Sequence, residues 1–402
     1  MSYRRLLAIP SFRALFYGEI VSLVGHWFSY VGLSVYALER GEGALDVALV
    51  LAGHTVPGVL VAPLAGKLAD GRDARRVLLA VNLVAAGLTG ALALAAWQGA
   101  PMLLVHALVF VRTATEALAQ PAVAVATRDV VPTELLSHAN TASSTAWSAS
   151  FAIGTALGGL LATLGPALAL GLDALSFLLA AAWFLRLPPL LPVASATGGG
   201  ALRPALDALA GRPALRRATL ARAPLAITGG AAWVLLNLRA EDLAGAAVGI
   251  GLLHGLRGIA MGAGPLLAQW RVDRGDEPER LWWRWGLLGF LGPAILGLAS
   301  GPLAWASAFL WGVGTATNWV FTGAGMLRDA PGGVLGRVTA VENAFTTAST
   351  AAGALLLAVL VDMGQSLPAA TLALVATGLS GWAALWWTTG QALRPARASA
   401  SH

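Results

Sequence analysis

The chain has 402 residues, of which 57% are hydrophobic and only 11% are charged, and its mean hydropathy is +0.71. Soluble domains carry about 25% charged residues, so this composition, with repeated apolar runs of about 20 residues, indicates an integral membrane protein. The sequence contains no cysteine, which excludes disulfides and thiolate metal sites. The single lysine, Lys67, is followed by Leu68, which excludes a Walker A sequence and argues against nucleotide hydrolysis.

Twelve apolar segments are predicted to cross the membrane, because each is long enough to span a hydrocarbon core of about 30 Å. They cover residues 14–38, 45–66, 77–98, 101–125, 139–163, 166–186, 215–238, 246–270, 281–299, 303–327, 339–362 and 368–390. With the N-terminus inside, 22 of the 26 Lys and Arg residues lie on the cytoplasmic side or at its interface, and only Arg40 and Arg239 lie outside. The positive-inside rule therefore places both termini in the cytoplasm. The excess of arginine over lysine is typical of a G+C-rich bacterial genome, so we expect a bacterial cytoplasmic membrane.

The first segment carries a polar stripe. Glu19, Ser22, His26 and Tyr30 lie at positions i, i+3, i+7 and i+11, which places them on one face of a helix. We expect this face to line a central cavity. His26 has the one side-chain type whose ordinary pKa, about 6.5, allows its charge to change in the physiological range. Both a proton relay and a hydrogen-bonded cavity lining fit Glu19 and His26.

The connector after the second segment concentrates charge. The stretch GKLADGRDARR, Gly66 to Arg76, holds Lys67, Asp70, Asp73 and three arginines in a chain that has few charged residues elsewhere. Two readings remain open for it. The connector is either a positive-inside anchor or one half of a cytoplasmic gate.

Charged residues also lie within the fourth and eighth segments. Arg112 and Glu116 are four residues apart, so they share a helix face and are able to pair. His254 and Arg257 are three apart in the eighth segment. A charge at the centre of a membrane helix costs about 2.5–3.5 kcal/mol on insertion scales, so these residues are candidates for coupling or transport. The alternative is a structural pair that makes the helix tolerable in lipid.

A Pro- and Gly-rich stretch divides the chain near its middle. We predict an N-terminal six-helix bundle at residues 1–186, a cytoplasmic linker at 187–214, a C-terminal six-helix bundle at 215–390 and a disordered cytoplasmic tail at 391–402. Aromatic and amide side chains near the middle of their segments are candidates to line an apolar cavity, although lipid-facing tryptophan is equally common. These candidates are Trp27, Tyr30, Trp233, Asn237, Asn318 and Trp319.

The connector resembles the loop between helices 2 and 3 of the major facilitator superfamily, usually written G-x-L-a-D-r-x-G-r-k. Gly66, Leu68, Asp70 and Arg75 match it, whereas Gly71 replaces the usual first arginine. The following acid and arginines are closer to the drug, macrolide and siderophore (enterobactin-type) exporters of the superfamily. GLDALSFLLAA and GRVTAVENAF resemble the sixth and eleventh helices of that branch.

The resemblance implies an all-α membrane protein of about 12 transmembrane helices in two pseudo-symmetric six-helix bundles, the major facilitator fold. It also implies a cytoplasmic gate in which Asp70 meets the start of helix 11 and Arg75 or Arg76 pairs with an acid of helix 4. The gate residues expected here are Gly66, Asp70, Arg75, Arg76, Asp129 and Arg337.

The function expected from this resemblance is secondary active transport by alternating access, with proton-coupled efflux of small amphiphilic molecules. An uptake symporter or facilitator is the alternative. We do not expect an enzyme, since the sequence has no HExxH, GxSxG or cysteine nucleophile. A non-transporting sensor would leave the charges within the membrane unexplained. The expected partners are a small-molecule substrate, protons and the bilayer, with no cofactor, metal or nucleic acid, and we expect a monomer.

Substitution of Asp70 distinguishes a connector that is a gate from one that is only a positive-inside anchor. If it is a gate, Asp70→Asn impairs transport while the protein remains inserted, because an acid at a helix N-terminus stabilises that contact by about 0.3–1 kcal/mol. Transport by membrane vesicles that contain equal amounts of each protein measures the effect. Unchanged transport would favour the anchor.

Overall fold

The computed structural model describes residues 2–41, 43–190, 202–276, 278–331 and 334–398, and within these ranges the chain is helical and forms no strand. The helices of the first half are α1 (Ser2–Ala8), α2 (Pro10–Arg40), α3 (Ala44–Gly71), α4 (Ala74–Trp97), α5 (Met102–Ala117), α6 (Gln120–Val130), α7 (Leu136–Ala162) and α8 (Pro166–Phe184). Those of the second half are α9 (Arg203–Gly211), α10 (Pro213–Leu220), α11 (Arg222–Ala244), α12 (Ala246–Val272), α13 (Pro278–Gly286), α14 (Leu288–Leu298), α15 (Pro302–Asp329), α16 (Leu335–Asp362) and α17 (Leu367–Ala398).

Ten stretches of the described chain are long and apolar enough to cross a membrane. They correspond to ten of the twelve predicted segments, with α5 and α6 forming one stretch and α10 and α11 another. The predicted segment 281–299 is divided between α13 and α14, which are separated at Leu287. The predicted segment 303–327 lies in α15, whose 28 residues are long enough to cross although α15 is not among the ten.

The described residues fall into two compact units. The first comprises Met1–Gly199 and Asn237–Gly258, and the second comprises Gly200–Leu236 and Ile259–His402. The second half of α11 and the first half of α12 therefore belong to the first unit. The predicted bundles are continuous stretches of chain, whereas each of these units is made of two stretches.

The predicted linker and tail contain helix where they are described. Helix α9 lies within the predicted linker, and its buried Ala205 and Leu209 pack in one apolar cluster with Met326 and Val338 of the second unit. Helix α17 continues to Ala398, into the tail predicted to be disordered. Residues 191–201 of the linker and 399–402 of the tail lie outside the described residues.

Three glycines at a spacing of seven allow α2 and α8 to approach closely. A Cβ atom at Gly18 would meet the ring of Phe184, one at Gly25 would meet the Ser176 side chain, and one at Gly32 would lie 3.1 Å from a side-chain atom of α8. Small residues let membrane helices come close enough for their backbones to pack and for polar side chains to reach across. This contact brings the polar residues of α2 next to those of α8.

Replacing one of these glycines should loosen the first unit. Gly25→Ala forces a methyl group into Ser176 and Asp173, and overpacking of this kind typically costs about 1–3 kcal/mol. The thermal unfolding midpoint of the purified protein in detergent should fall. Gly87→Ala in α4 is the control, because nothing lies within 4 Å of the added methyl group; equal midpoints for the two variants would contradict the close-packing interpretation.

Candidate functional site

The first unit holds a buried cluster of charged side chains around Arg112. The Nη2 atom of Arg112 donates to Asp173 Oδ2 over 2.8 Å, and its Nε atom lies 2.7 Å from Glu116 Oε1. His26 Nδ1 lies 2.9 Å from Glu116 Oε2 and 3.3 Å from Arg112 Nη2. The predicted pairing of Arg112 with Glu116 is present, and His26 of the predicted polar stripe joins it. We call these four residues the Arg112 cluster.

The local sequence explains how three helices build this cluster. Arg112 and Glu116 face the same way because they are four residues apart on α5. Asp173 of α8 reaches the cluster beside Gly25, and it accepts hydrogen bonds from Ser29 of α2 and, over 3.1 Å, from Ser176. Asp173, which lies in the stretch GLDALSFLLAA, is therefore an acid that pairs with the buried arginine.

Helix α5 ends one residue after Glu116, and α6 begins at Gln120. Pro121 lacks the backbone N–H that would continue the helical hydrogen bonds, which accounts for the interruption. In hydrocarbon, free backbone groups are tolerated only where protein or water satisfies them. The interruption directly follows Glu116 of the Arg112 cluster.

Exposure divides the cluster into two layers. The side chains of Arg112 and Asp173 are 0% exposed, whereas those of His26 and Glu116 are each 19% exposed. The cluster holds two carboxylates and one guanidinium, so it becomes electrically neutral only when it carries one more proton. His26 and Glu116 are the partly exposed members of the cluster.

A second hydrogen-bonded group of the first unit lies farther along α2. Asn237 Nδ2 donates to the Tyr30 hydroxyl over 2.9 Å and to Ser34 Oγ over 3.2 Å, and His254 Nε2 donates to Asn237 Oδ1 over 3.0 Å. Tyr30 also packs edge-on against His54, whose ring contacts that of His26. A continuous chain of polar rings thus joins His254 to the Arg112 cluster.

Aromatic side chains adjoin this chain of rings. Trp27 packs edge-on against His26 at 5.3 Å and against Phe151 at 4.5 Å between ring centroids. Trp147, which is 39% exposed, stacks on Phe151 at 5.9 Å. The guanidinium of Arg257 lies 5.4 Å from the Phe151 ring centroid. Sequence analysis identified Trp27 and Arg257 but missed Trp147 and Phe151, whose only signal was their spacing of four residues.

The second unit contains a buried ion pair of its own. Arg222 Nη1 lies 3.0 Å from Glu342 Oε1, while its Nε donates to Thr322 over 2.7 Å. Glu342 Oε1 also accepts from Thr346, whereas Glu342 Oε2 is buried and has no hydrogen-bond partner among the described residues. Arg222 is buried and lies inside the stretch Pro213–Ala244, which is long and apolar enough to cross a membrane.

The remaining cavity candidates lie in the second unit and have local partners. Asn318 accepts a hydrogen bond of 2.6 Å from Trp282, and Trp233 packs edge-on against Trp311. Trp319 lies beneath the Arg222 guanidinium at 3.9 Å. Asn318 is thus a buried hydrogen-bond acceptor, while the half-exposed Trp319 packs against Arg222 of the buried ion pair.

The predicted gate pairing of Arg75 or Arg76 with Asp129 is not present in this structure. Arg75 Nη2 donates to the Leu185 carbonyl over 2.8 Å, and Arg76 lies 3.9 Å from Asp73. Asp129 pairs with its neighbour Arg128 at 3.0 Å. Local geometry explains the difference, because Asp73 caps α4 and also accepts from the Leu190 backbone, which holds the start of α4 against the chain after α8.

Other predicted residues stand apart from these clusters. Glu19 is partly buried and has no hydrogen bond or ion pair to a described residue. Arg337 lies in the first turn of α16 and is partly buried. The surroundings of Gly66 and the side chain of Asp70 lie outside what the structure describes. Among the described residues, no group of three or more His, Asp and Glu side chains is arranged to hold a metal ion.

A bundle of membrane-crossing helices with buried charge clusters in its interior is the architecture of a polytopic transporter. A family model described as transmembrane secretion effector, of the major facilitator type, matches residues 5–384. The chain therefore belongs to that family of the major facilitator superfamily, and it is a membrane transporter and not an enzyme.

Individual relatives agree with this assignment. An uncharacterized MFS-type transporter, y4rN, of Sinorhizobium fredii (strain NBRC 101917 / NGR234) is 27% identical over 319 residues, covering 76% of this chain and 75% of the relative. The crystal structure of a mutant of the nucleoside transporter NupG has a TM-score of 0.74 at 12% identity, covering 94% of this chain and 98% of that one. A bacterial homologue of the iron transporter ferroportin has a TM-score of 0.66 at 18% identity, covering 93% and 98%. At these identities the solved structures establish the fold, which is the predicted major facilitator fold.

Removing the acid that pairs with Arg112 should destabilise the protein. Asp173→Asn leaves a fully buried guanidinium with one acid fewer, and breaking a buried ion pair typically costs about 3–5 kcal/mol. Asp129→Asn is the control, because exposed pairs such as Arg128–Asp129 are worth about 0–1 kcal/mol. Thermal unfolding in detergent compares the two, and a midpoint for Asp173→Asn as high as that of the control would contradict the importance of the pair.

Proposed function

We propose that this transporter is a proton-coupled exporter of small amphiphilic molecules that works by alternating access. The observation that carries the proposal is the Arg112 cluster, in which two acids share one guanidinium and a histidine lies within hydrogen-bonding distance. Such a cluster is one proton short of neutrality inside a membrane-crossing bundle. Uptake and release of that proton is the coupling step.

The layered exposure of the cluster gives the proton a route. His26 and Glu116, the partly exposed members, exchange the proton with water, and Arg112 with Asp173 holds them in place from the buried side. When the proton leaves, the net charge of the cluster changes by one unit. Changing a charge in a medium of low dielectric alters the relative stability of the two access states, which is the physical requirement for coupling.

The aromatic side chains beside the cluster support an amphiphilic substrate. Trp27, Trp147 and Phe151 form a contiguous aromatic cluster that begins at the His26 ring, and Trp147 is its exposed member. Aromatic faces bind apolar groups and attract cations. An exported molecule with an apolar body and a basic group would contact this aromatic cluster and respond to the charge of the neighbouring Arg112 cluster.

Several further features form part of the proposal. The asymmetry of basic residues favours cytoplasmic termini in a bacterial cytoplasmic membrane. The two predicted six-helix bundles are proposed as the moving parts, with the residues 66–76 at the cytoplasmic gate. We propose that the transporter works as a monomer.

Transport in sealed proteoliposomes with an imposed pH gradient tests coupling. A panel of dyes, macrolides and siderophores is screened for accumulation in vesicles with an acid interior, where an exporter exchanges its substrate for protons. One pH unit supplies about 1.4 kcal/mol per proton, which corresponds to about tenfold accumulation for one proton per cycle. Accumulation that is independent of the gradient would indicate a facilitator, and movement in the same direction as protons would indicate a symporter.

Glu116→Gln should abolish accumulation driven by the pH gradient, because glutamine keeps a hydrogen-bond acceptor near Arg112 but cannot bind and release the proton. Exchange of labelled for unlabelled substrate at equal pH should persist, which separates lost coupling from lost folding. Glu134→Gln, in the exposed turn before α7, is the control and should behave like the wild type. Full gradient-driven accumulation by the Glu116 variant would refute the assignment of the coupling site.

A further inference from the structure

A cavity of about 410 Å³ opens at the end of the first unit where α2 begins and α8 ends. Sites for small molecules typically have volumes of about 300–1,000 Å³. No residue of the Arg112 cluster lines this cavity, so it is separate from the proposed coupling site. Its lining residues are Pro10, Arg13, Ala14, Tyr17, Trp183 and Arg186.

The lining combines basic and aromatic groups in a fixed arrangement. Arg13 and Tyr17 are four residues apart on one face of α2, and Trp183 and Arg186 are three apart at the end of α8. The rings of Tyr17 and Trp183 are 5.4 Å apart, and the Arg186 guanidinium lies 4.1 Å from the Trp183 ring centroid. The contact with the Trp183 ring holds the Arg186 guanidinium beside the cavity.

The positive charge of the cavity is not compensated. Among the described residues, no carboxylate lies within 4 Å of Arg13 or Arg186, and no acid lines the cavity. By contrast, exposed arginines elsewhere, such as Arg128 and Arg271, pair with nearby acids. Two guanidinium groups without a counter-charge are suited to one anionic group that carries several acceptor oxygens.

The cavity lies at the ends of two stretches that are long and apolar enough to cross a membrane, where lipid headgroups are expected. The membrane-crossing stretch of α8 ends at Phe184, so Arg186 follows it by two residues, and the stretch of α2 begins at Pro10. Tyrosine and tryptophan concentrate at this level of membrane proteins. From Trp183, the exposed Leu179 and Leu175 continue at intervals of four residues along α8 toward the hydrocarbon. An acyl chain attached to a bound headgroup would lie along this apolar stripe.

We infer that this cavity binds an anionic phospholipid, with the phosphate against Arg13 and Arg186 and one acyl chain along Leu179 and Leu175. Basic pockets between membrane helices are suited to acidic headgroups. The Trp183 and Tyr17 rings, which are tilted by 52° to each other, form the floor between headgroup and chain. The site would make lipid composition a determinant of how firmly α2 and α8 are held together at this end of the unit.

Native mass spectrometry of the full-length protein in detergent tests the inference, with phosphatidylglycerol and phosphatidylcholine of identical acyl chains as probes. The wild type should retain one phosphatidylglycerol at concentrations where it retains no phosphatidylcholine. Each basic residue near an anionic lipid strengthens binding about fivefold, so R13A/R186A should weaken retention about 25-fold. R13K/R186K, which keeps both charges, should retain most of the binding.

R274A is the matched control. Arg274 also stacks on an exposed tryptophan, Trp270, at 3.7 Å, but it does not line the cavity. If R274A and R13A/R186A retained equal amounts of phosphatidylglycerol, the inference would be overturned, because the loss would then depend only on the net charge of the protein. Adding glycerol phosphate and, separately, inorganic phosphate distinguishes a lipid from a soluble anion. Displacement of the lipid by millimolar amounts of either would also overturn the inference.

Discussion

The organisation of the first unit depends on the cost of keeping the Arg112 guanidinium inside a membrane-crossing bundle. A charge in hydrocarbon has to be paired, and no single helix supplies enough partners. Glu116 comes from the same helix, Asp173 from α8 and His26 from α2. The glycines of α2 let α8 approach closely. Asp173 therefore comes within hydrogen-bonding distance of both Ser29 and Arg112. Close packing and charge pairing therefore support one another.

The second unit also pairs a buried arginine with an acid, and the two residues come from different helices. Arg222 lies at the first residue of α11, directly after the interruption between α10 and α11, and it pairs with Glu342 of α16. In both units a buried ion pair between an arginine and an acid lies next to a helix interruption, and a proline lies near that interruption. The shared physical reason is that unsatisfied backbone groups and charged side chains are both costly in lipid, so they are tolerated in the same protein-lined surroundings.

Sequence reasoning identified the part of the site that is local. The pairing of Arg112 with Glu116 follows from a spacing of four residues, and His26 was found from the polar stripe on its helix. Asp173 and Arg112 are 61 positions apart, and Arg222 and Glu342 lie on helices far apart in the chain, so no periodicity connects them. The expected pairing of Arg75 or Arg76 with Asp129 is not present in this structure, where Arg75 donates to the Leu185 carbonyl and Asp129 pairs with its neighbour Arg128.

The sequence by itself determined that the chain crosses the membrane many times, because runs of apolar residues of membrane length have no other favourable environment. It also determined which side chains share a helix face, because the helical repeat is set by the backbone. Only the tertiary structure decided which acid meets which arginine and that the first half of α12 packs within the first unit. Those choices depend on how surfaces of different helices fit together, and in lipid that fit is governed by van der Waals packing and a few polar contacts that no single segment encodes.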